Sequence, residues 1–135
     1  MAKVAKDYTF IRGDSFGSDR WIISYDPQLA EDSPNLSWDE IIAGISDGTY
    51  TAVDLNDYTF TGKARLGYTE EVLFDLVVFK DQWQFYFEVR PEDTAGFTNE
   101  QVNALYDVQL VHNPSGWVQT WVAGRLIITP DVTYV

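Results

Sequence analysis

Strict alternation of apolar and polar side chains is the feature that most constrains the fold of this chain. The segment WQFYFEVR (residues 83–90) places Trp83, Phe85 and Phe87 on one side and polar or amphipathic residues on the other. Successive side chains of a β-strand point to opposite faces, so this pattern predicts a strand with one buried face. Residues 58–66 (YTFTGKARL) alternate in the same way. The chain is therefore predicted to fold mainly as β-structure.

Further short strands are indicated along most of the remaining sequence. Residues 7–11 and 20–25 are rich in β-branched and aromatic side chains. Residues 71–79 (EVLFDLVVF) are more continuously apolar, which is typical of a strand covered on both faces. Alternation predicts the following inward positions: Phe60, Leu66, Trp83, Phe85, Phe87, Tyr106, Val108 and Leu110.

A β-hairpin is predicted near the end of the chain. Residues 104–112 (ALYDVQLVH) and 116–129 (GWVQTWVAGRLIIT) flank the sequence NPSG. Its Asn113, Pro114 and Gly116 are residue types that suit a four-residue β-turn. These three residues are therefore predicted to be structural.

One segment departs from the strand pattern and predicts a short helix. Ser37 is followed three residues later by Glu40, which is a capping-box sequence, and isoleucines then recur at helical spacing. Gly48 is a plausible end signal. We predict a helix over residues 37–46, inside an insertion that runs from about residue 26 to 54.

These elements define the predicted architecture. Residues 1–135 are expected to form a single domain, an all-β, antiparallel, immunoglobulin-like β-sandwich of about seven to nine strands with one short helix in the insertion. A chain of 135 residues buries enough surface to fold without a covalent staple, and it contains no cysteine. Disulfide bonds and thiolate metal sites are thereby excluded.

Charge excludes several classes of partner. The net charge of −12 is unsuited to binding the phosphates of nucleic acid or an anionic membrane surface. No apolar run approaches the ~20 residues needed to span a membrane. We expect the acidic surface to keep copies soluble and apart.

No catalytic or metal-binding constellation stands out. His112 is the only histidine, and the sequence lacks nucleophile-elbow, phosphate-loop and EF-hand signatures. The segment DLND (residues 54–57) suits either a calcium ligand set or local capping of the backbone. We expect capping there, no cofactor and no enzymatic activity.

Some aromatic side chains are candidates for an interface rather than the core. Tyr86 lies opposite the inward face of its strand, and Trp117 and Trp121 follow the hairpin turn. Aromatic residues on an outer face are typical anchors of protein interfaces, and also of sugar-stacking platforms. The complete set of candidate interface residues is Tyr86, Trp117, Trp121, Pro130, Val132 and Tyr134.

The order of short motifs carries a family resemblance. The segments are YTFIRGDSF, DLNDYTFTGKARLG, VRPEDTAGF and LYDVQLVHNPSGWVQTWVAGRLIITPDVTY. They resemble a family of small tailed-phage structural proteins with an immunoglobulin-like sandwich, and are similar to the N-terminal domain of siphophage upper baseplate proteins. The residues that match are Gly13, Ser15, Phe16, Asp54, Leu55, Tyr58, Tyr106, Asp107, Gly124, Pro130, Val132 and Thr133. The chain departs from the family at Asn56-Asp57, where Thr-Gly is typical, and in the insertion.

The resemblance implies a virion protein. We expect a non-enzymatic structural protein, made in the host cytoplasm and docked in the virion as a baseplate, tail or neck accessory. Its partners would be other virion proteins in a symmetric, multi-copy assembly. Two alternatives remain open: a capsid decoration protein, and a carbohydrate-binding or adhesion module that contacts the host. Residues 129–135 are expected to be needed for incorporation into particles but not for folding.

The tripeptide Arg12-Gly13-Asp14 is the sequence of an integrin-binding loop. In the family that the chain resembles, a glycine turn lies at this place between the first two strands. Glycine tolerates positive φ, so Gly13 is interpreted as a structural turn residue with ordinary solvated neighbours. We do not expect integrin binding.

Overall fold

The computed structural model describes residues 4–67, 70–97 and 100–130. Its strands are β1 (Val4–Ala5), β2 (Tyr8–Ile11), β3 (Phe16–Gly17), β4 (Trp21–Ile22), β5 (Tyr58–Arg65), β6 (Val72–Asp81), β7 (Gln84–Val89), β8 (Val102–His112) and β9 (Trp117–Thr129). Its helices are α1 (Pro27–Asp32), α2 (Trp38–Ser46) and α3 (Pro91–Thr94), with 3-10 turns at Ser33–Asn35 and Leu55–Asp57. With 47% of residues in strands and 20% in helices, the protein is mostly β, as predicted.

All nine strands belong to one mixed sheet. The order is β1, β9, β8, β5, β6, β7, β3, with β2 also pairing with β9 and β4 with β7. β8 and β9 are antiparallel, but β1 and β2 both run parallel to β9. The prediction of a purely antiparallel sheet is therefore wrong. Parallel partners are far apart in the chain, so no local turn signals them.

Strands β1 and β2 both pair with β9, and between them the backbone of Lys6 passes close to Gly124. Between β1 and β2, the carboxylate of Asp7 accepts the backbone N–H of Arg125 at 2.9 Å. The carbonyl of Lys6 accepts the hydroxyl of Tyr106 at 2.6 Å. A Cβ at Gly124 would overlap the carbonyl oxygen of Lys6. Glycine is therefore needed at position 124 for the N-terminal strand to lie where it does.

Most of the positions predicted to point inward are buried, and the prediction is wrong at Leu66, just after β5. Buried positions that confirm the prediction are Phe85, Phe87, Tyr106, Val108 and Leu110. Phe60 and Trp83 are half-buried. Leu66 is 57% exposed, because β5 ends at Arg65 after a register shift. β6 is not covered on both faces either, since Val72 and Phe79 are exposed.

The chain divides into two compact units. The first contains Met1–Asp19, Asp57–Phe79 and Tyr86–Val135, and the second contains Arg20–Asn56 and Lys80–Phe85. The predicted insertion, residues 26–54, lies wholly within the second unit. The insertion is thus a compact part of the structure rather than a loop.

Local capping explains the helices of the second unit. In α2 the Ser37 side chain accepts the N–H of Glu40 at 3.2 Å, and the Glu40 carboxylate accepts the N–H of Ser37 at 3.1 Å. The predicted helix and its capping box are confirmed. Helix α1 was not predicted; it begins after Asp26 with Pro27 in its first turn. Tyr50 donates its hydroxyl to Asp32 at 2.7 Å, which connects the end of α1 to the segment after α2.

Candidate functional site

The turn between β8 and β9 is closed by a glycine with positive φ. Asn113, Pro114, Ser115 and Gly116 form the connection, and Gly116 has a φ of 74°. The N–H of Gly116 donates to the carbonyl of His112 at 2.7 Å, which closes the turn. A residue other than glycine would be strained at this φ, so the sequence of the turn fixes where β9 begins.

The residues beside this turn define what we call the hairpin tip, with Tyr58, His112 and Trp117 on one face of the sheet and Val118 on the opposite face. Trp117 pairs with His112, and His112 pairs with Tyr58 on β5. The rings of Tyr58 and His112 lie 5.0 Å apart. Trp117 is 68% exposed and Val118 is 57% exposed. The hairpin tip therefore carries large apolar side chains that a partner could cover.

The other candidate interface residues occupy different environments. Trp121 is buried, and its expected outward position is wrong. A bulge is the reason: Thr120 and Val122 pair with successive residues of β8, so Trp121 has no partner across the ladder. Tyr86 is half-buried and stacks on Phe79 at 5.2 Å. Pro130 is half-buried, and Val132 and Tyr134 lie outside the described residues.

The Arg12-Gly13-Asp14 segment is a turn that is tied to the loop around α3. Gly13 has a φ of 81°, and its N–H donates to the hydroxyl of Thr94 at 2.8 Å. The guanidinium of Arg12 donates to the carbonyl of Phe97 at 2.6 Å. Arg12 is therefore not the ordinary solvated residue that the sequence analysis expected. No sequence signal marked Thr94, which is fully buried, as the hydrogen-bond partner of Gly13.

The described residues contain no group of three or more His, Asp or Glu side chains that could hold a metal ion. In the DLND segment, the carboxylate of Asp54 accepts the N–H of Asn56 at 2.9 Å. This is the capping role that was one of the two interpretations of the segment. His112 contacts Ser115 through Nδ1 at 2.7 Å, within its own turn.

The second unit contains a groove that the sequence analysis did not identify, and we call it the insertion groove. Its volume is about 270 Å³. Its apolar lining consists of Trp21, Ile22, Leu29, Ala30, Trp38 and Ile41. Arg20, Ser24, Asp26 and Ser33 complete it. The sequence signal that could have revealed it is the spacing of Trp38 and Ile41, which places both on one face of α2.

Several ionisable groups have pKa values shifted by their surroundings. The backbone N–H of Thr51, with those of Gln28 and Leu29, lowers the pKa of Asp26 below its usual range. Burial raises the pKa of Asp107, against the opposing effect of Arg65 and Lys63. These shifts follow from hydrogen bonding and desolvation of structural groups and do not converge on one site.

The chain matches no protein-family model and no curated protein sequence. Among the described residues, no helix is both long enough and apolar enough to cross a membrane. The described residues form a mixed β-protein with a compact helical insertion, and the hairpin tip and the insertion groove are among its apolar surfaces.

Proposed function

We propose that this chain is a non-enzymatic structural protein of a tailed-phage virion, which docks on other virion proteins through apolar contacts. The observation that carries the docking role is the hairpin tip, where Trp117 and Val118 are mostly exposed. Tryptophan at the centre of an interface is among the residues that contribute most to binding. The virion context comes from the resemblance in the opening, DLND and hairpin motifs.

We also propose that the first unit is an immunoglobulin-like sandwich. Support comes from ring contacts between strands that are not neighbours in the sheet. The rings of Phe87 on β7 and Tyr106 on β8 lie 5.2 Å apart, and Tyr8 on β2 lies 5.9 Å from Phe87. Two strand layers that face each other across a core would produce such contacts.

Within the virion, we place the protein at the tail, neck or baseplate, in several symmetry-related copies. It would be made in the host cytoplasm and carry no cofactor. Capsid decoration remains the alternative position for the same docking role. Electron microscopy of the intact particle distinguishes the two.

A double substitution at the hairpin tip tests the docking role. Trp117→Ala with Val118→Ser should give a folded protein that incorporates into particles at least about tenfold less, because the apolar anchors are lost. Incorporation is measured by quantitative mass spectrometry of purified virions. Leu66→Ser, at a comparably exposed apolar position, is the matched control and should incorporate normally. Normal incorporation of the double variant would contradict the assignment of the hairpin tip.

A further inference from the structure

The insertion groove has the properties of a pocket for an apolar anchor. Trp21, Trp38 and Ile41 are half-buried along it, and Leu29 is buried. Its volume of about 270 Å³ is slightly below the roughly 300–1,000 Å³ of pockets that enclose a drug-sized ligand. A bulky side chain projecting from a partner fits a groove of this size and lining.

Three of the polar side chains of the groove, those of Arg20, Ser24 and Asp26, are already engaged in the fold. The hydroxyl of Ser24 donates to the carbonyl of Thr51 and accepts the N–H of Asp26. The carboxylate of Asp26 accepts the N–H groups of Gln28 and Thr51, each at 2.9 Å. Arg20 donates to Gln84 at 3.3 Å. A sugar would need polar groups that are free to bond its hydroxyls, so these contacts favour an apolar occupant.

The segment that supplies this apolar lining is acidic, and the carboxylates that adjoin lining residues in the sequence form what we call the acidic rim. Residues 20–56 contain seven carboxylates and one basic residue, Arg20. Four of the carboxylates directly adjoin lining residues in the sequence: Glu31, Asp32, Asp39 and Glu40. A rim of one charge attracts a partner of the opposite charge and disfavours a partner of the same charge.

We propose that the insertion groove binds a basic segment of another protein, in which a bulky apolar side chain enters the groove and flanking Lys or Arg side chains meet the acidic rim. This inference rests on the docking function proposed above and adds the chemistry of the partner. The apolar lining of the groove binds the bulky side chain, and the acidic rim favours a partner segment with positive charge.

Labelled peptides test both the charge preference and the apolar contact of the proposed site. The probes are two short fluorescein-labelled peptides, one alternating Lys with Leu and one alternating Glu with Leu, and binding is followed by fluorescence anisotropy. The Lys–Leu peptide should bind and the Glu–Leu peptide should not, and added NaCl should weaken the binding. Trp38→Ala should raise Kd about tenfold or more, whereas Leu66→Ala should leave it unchanged. Equal binding of both peptides, or an unchanged Kd for Trp38→Ala, overturns the proposal.

Charge reversal provides a second test that does not remove a groove side chain. Glu31→Lys with Asp39→Lys should abolish the preference for the Lys–Leu peptide, because the rim then carries two carboxylates and two ammonium groups with no net charge. The matched control is Glu71→Lys with Glu100→Lys, which changes net charge equally at exposed positions of the first unit. If both double variants change the preference equally, the net charge of the chain selects the peptide and the rim does not.

The remaining outcomes separate this inference from the function on which it rests. Competition by the neutral oligosaccharide maltohexaose for the Lys–Leu peptide would overturn the proposal in favour of a carbohydrate site. If neither peptide binds but the hairpin-tip variant is lost from particles, docking stands and the groove assignment fails. If the Lys–Leu peptide binds as expected but the chain is absent from purified particles, the groove assignment stands and the virion function fails.

Discussion

At the level of single residues, two carboxyl groups are perturbed in opposite directions. Asp26 caps α1 and accepts backbone N–H groups, which stabilise its charged form and lower its pKa. Asp107 is partly buried on β8, which disfavours its charged form and raises its pKa. The two residues therefore contribute to the pH dependence of stability with opposite signs.

Asp26→Asn should reduce the loss of stability in acid. The folded pKa of Asp26 lies below the unfolded value of about 3.9, so its contribution is present above that value and is lost as pH falls through the folded pKa. Urea titrations at about pH 5 and about pH 3 should show a smaller drop for the variant than for the wild type. An equal drop would mean that the capping bonds do not stabilise the charged form.

Asp107→Asn should show the opposite behaviour and serves as the comparison. Because the folded pKa of Asp107 is raised, its carboxylate destabilises the fold increasingly as pH rises from about 3.9 through the folded pKa. The variant should exceed the wild type in stability near neutral pH, and the difference should disappear below about pH 3.9. A variant that is less stable at neutral pH contradicts the sign.

Phe85→Ala should be strongly destabilising. Phe85 is fully buried, and its ring lies 5.5 Å from that of Trp21. Removing a buried phenylalanine side chain costs roughly 3–5 kcal/mol in the free energy of unfolding. Phe79→Ala, at a position that is 40% exposed, should cost much less. Denaturant titration measures both, and a cost below about 1 kcal/mol for Phe85→Ala would falsify the core assignment.

Residue burial was predictable where the strand is regular and not where the ladder is interrupted. Alternation placed Phe85 and Phe87 correctly because β7 keeps its period throughout. It failed at Leu66, which follows the register shift of β5. The interface assignment of Trp121 failed because that residue occupies the bulge of β9 and is buried. A bulge adds one residue without a composition signal of its own, so the faces beyond it cannot be assigned from the sequence.

At the level of elements, the position of the N-terminal strand depends on one glycine of β9. Lys6 and Asp7 lie directly over Gly124 and Arg125, and no side chain intervenes at position 124. Tyr106 on β8 also bonds to Lys6. The contact thus links the N-terminal strand to both strands of the hairpin.

Gly124→Ala should weaken this contact. The added Cβ overlaps the backbone of Lys6, which cannot move without disturbing the pairing of β1 and β2 with β9. Overpacking of this kind costs typically about 1–3 kcal/mol. Amide hydrogen exchange should show faster exchange in residues 8–11. Gly17→Ala is the control, because a Cβ there meets no atom within 4 Å. Indistinguishable exchange in the two variants would contradict the role given to Gly124.

Elements were predictable when their signals are local. The helix α2 carries its capping box within four consecutive residues, Ser37 to Glu40, and the hairpin carries its turn residues between its strands. The parallel pairing of β2 with β9 joins Tyr8 to Leu126, and nothing near either residue encodes the partner. The insertion groove was missed because its lining comes from β4, α1 and α2 together, and α1 was not predicted.

At the scale of the whole molecule, the structure shows which C-terminal residues can be deleted without removing part of the sheet. We call the residues after β9, 130–135, the C-terminal tail. Thr129 is the last residue of β9, and its carbonyl accepts the N–H of Arg12 at 2.9 Å. Its hydroxyl donates to the carbonyl of Phe10 at 3.3 Å. A deletion that begins at Thr129, as the sequence analysis suggested, removes part of the sheet together with the tail.

Deleting residues 131–135 should therefore separate assembly from folding. This truncation leaves every described strand intact, so we expect a soluble protein with unchanged thermal unfolding that incorporates poorly into particles. Deleting residues 129–135 should in addition lower Tm, because β2 loses its last partner on β9. Circular dichroism and mass spectrometry of purified virions measure the two effects. Particles that contain the shorter truncation at wild-type copy number would show that the tail has no role in docking.

The pairing of β2 with β9 also sets the order in which parts of the chain can fold during synthesis. A ribosome makes Tyr8–Ile11 long before Leu126–Thr129 exists, so the early segment leaves the exit tunnel with no strand to join. Pairing strands so far apart in sequence is slow, because a long loop must close before any contact is gained. Until β9 is made, Tyr8 and Phe10 lack the strand beside which they lie in the folded protein. The β2 segment therefore stays without its strand partner until synthesis reaches the end of β9.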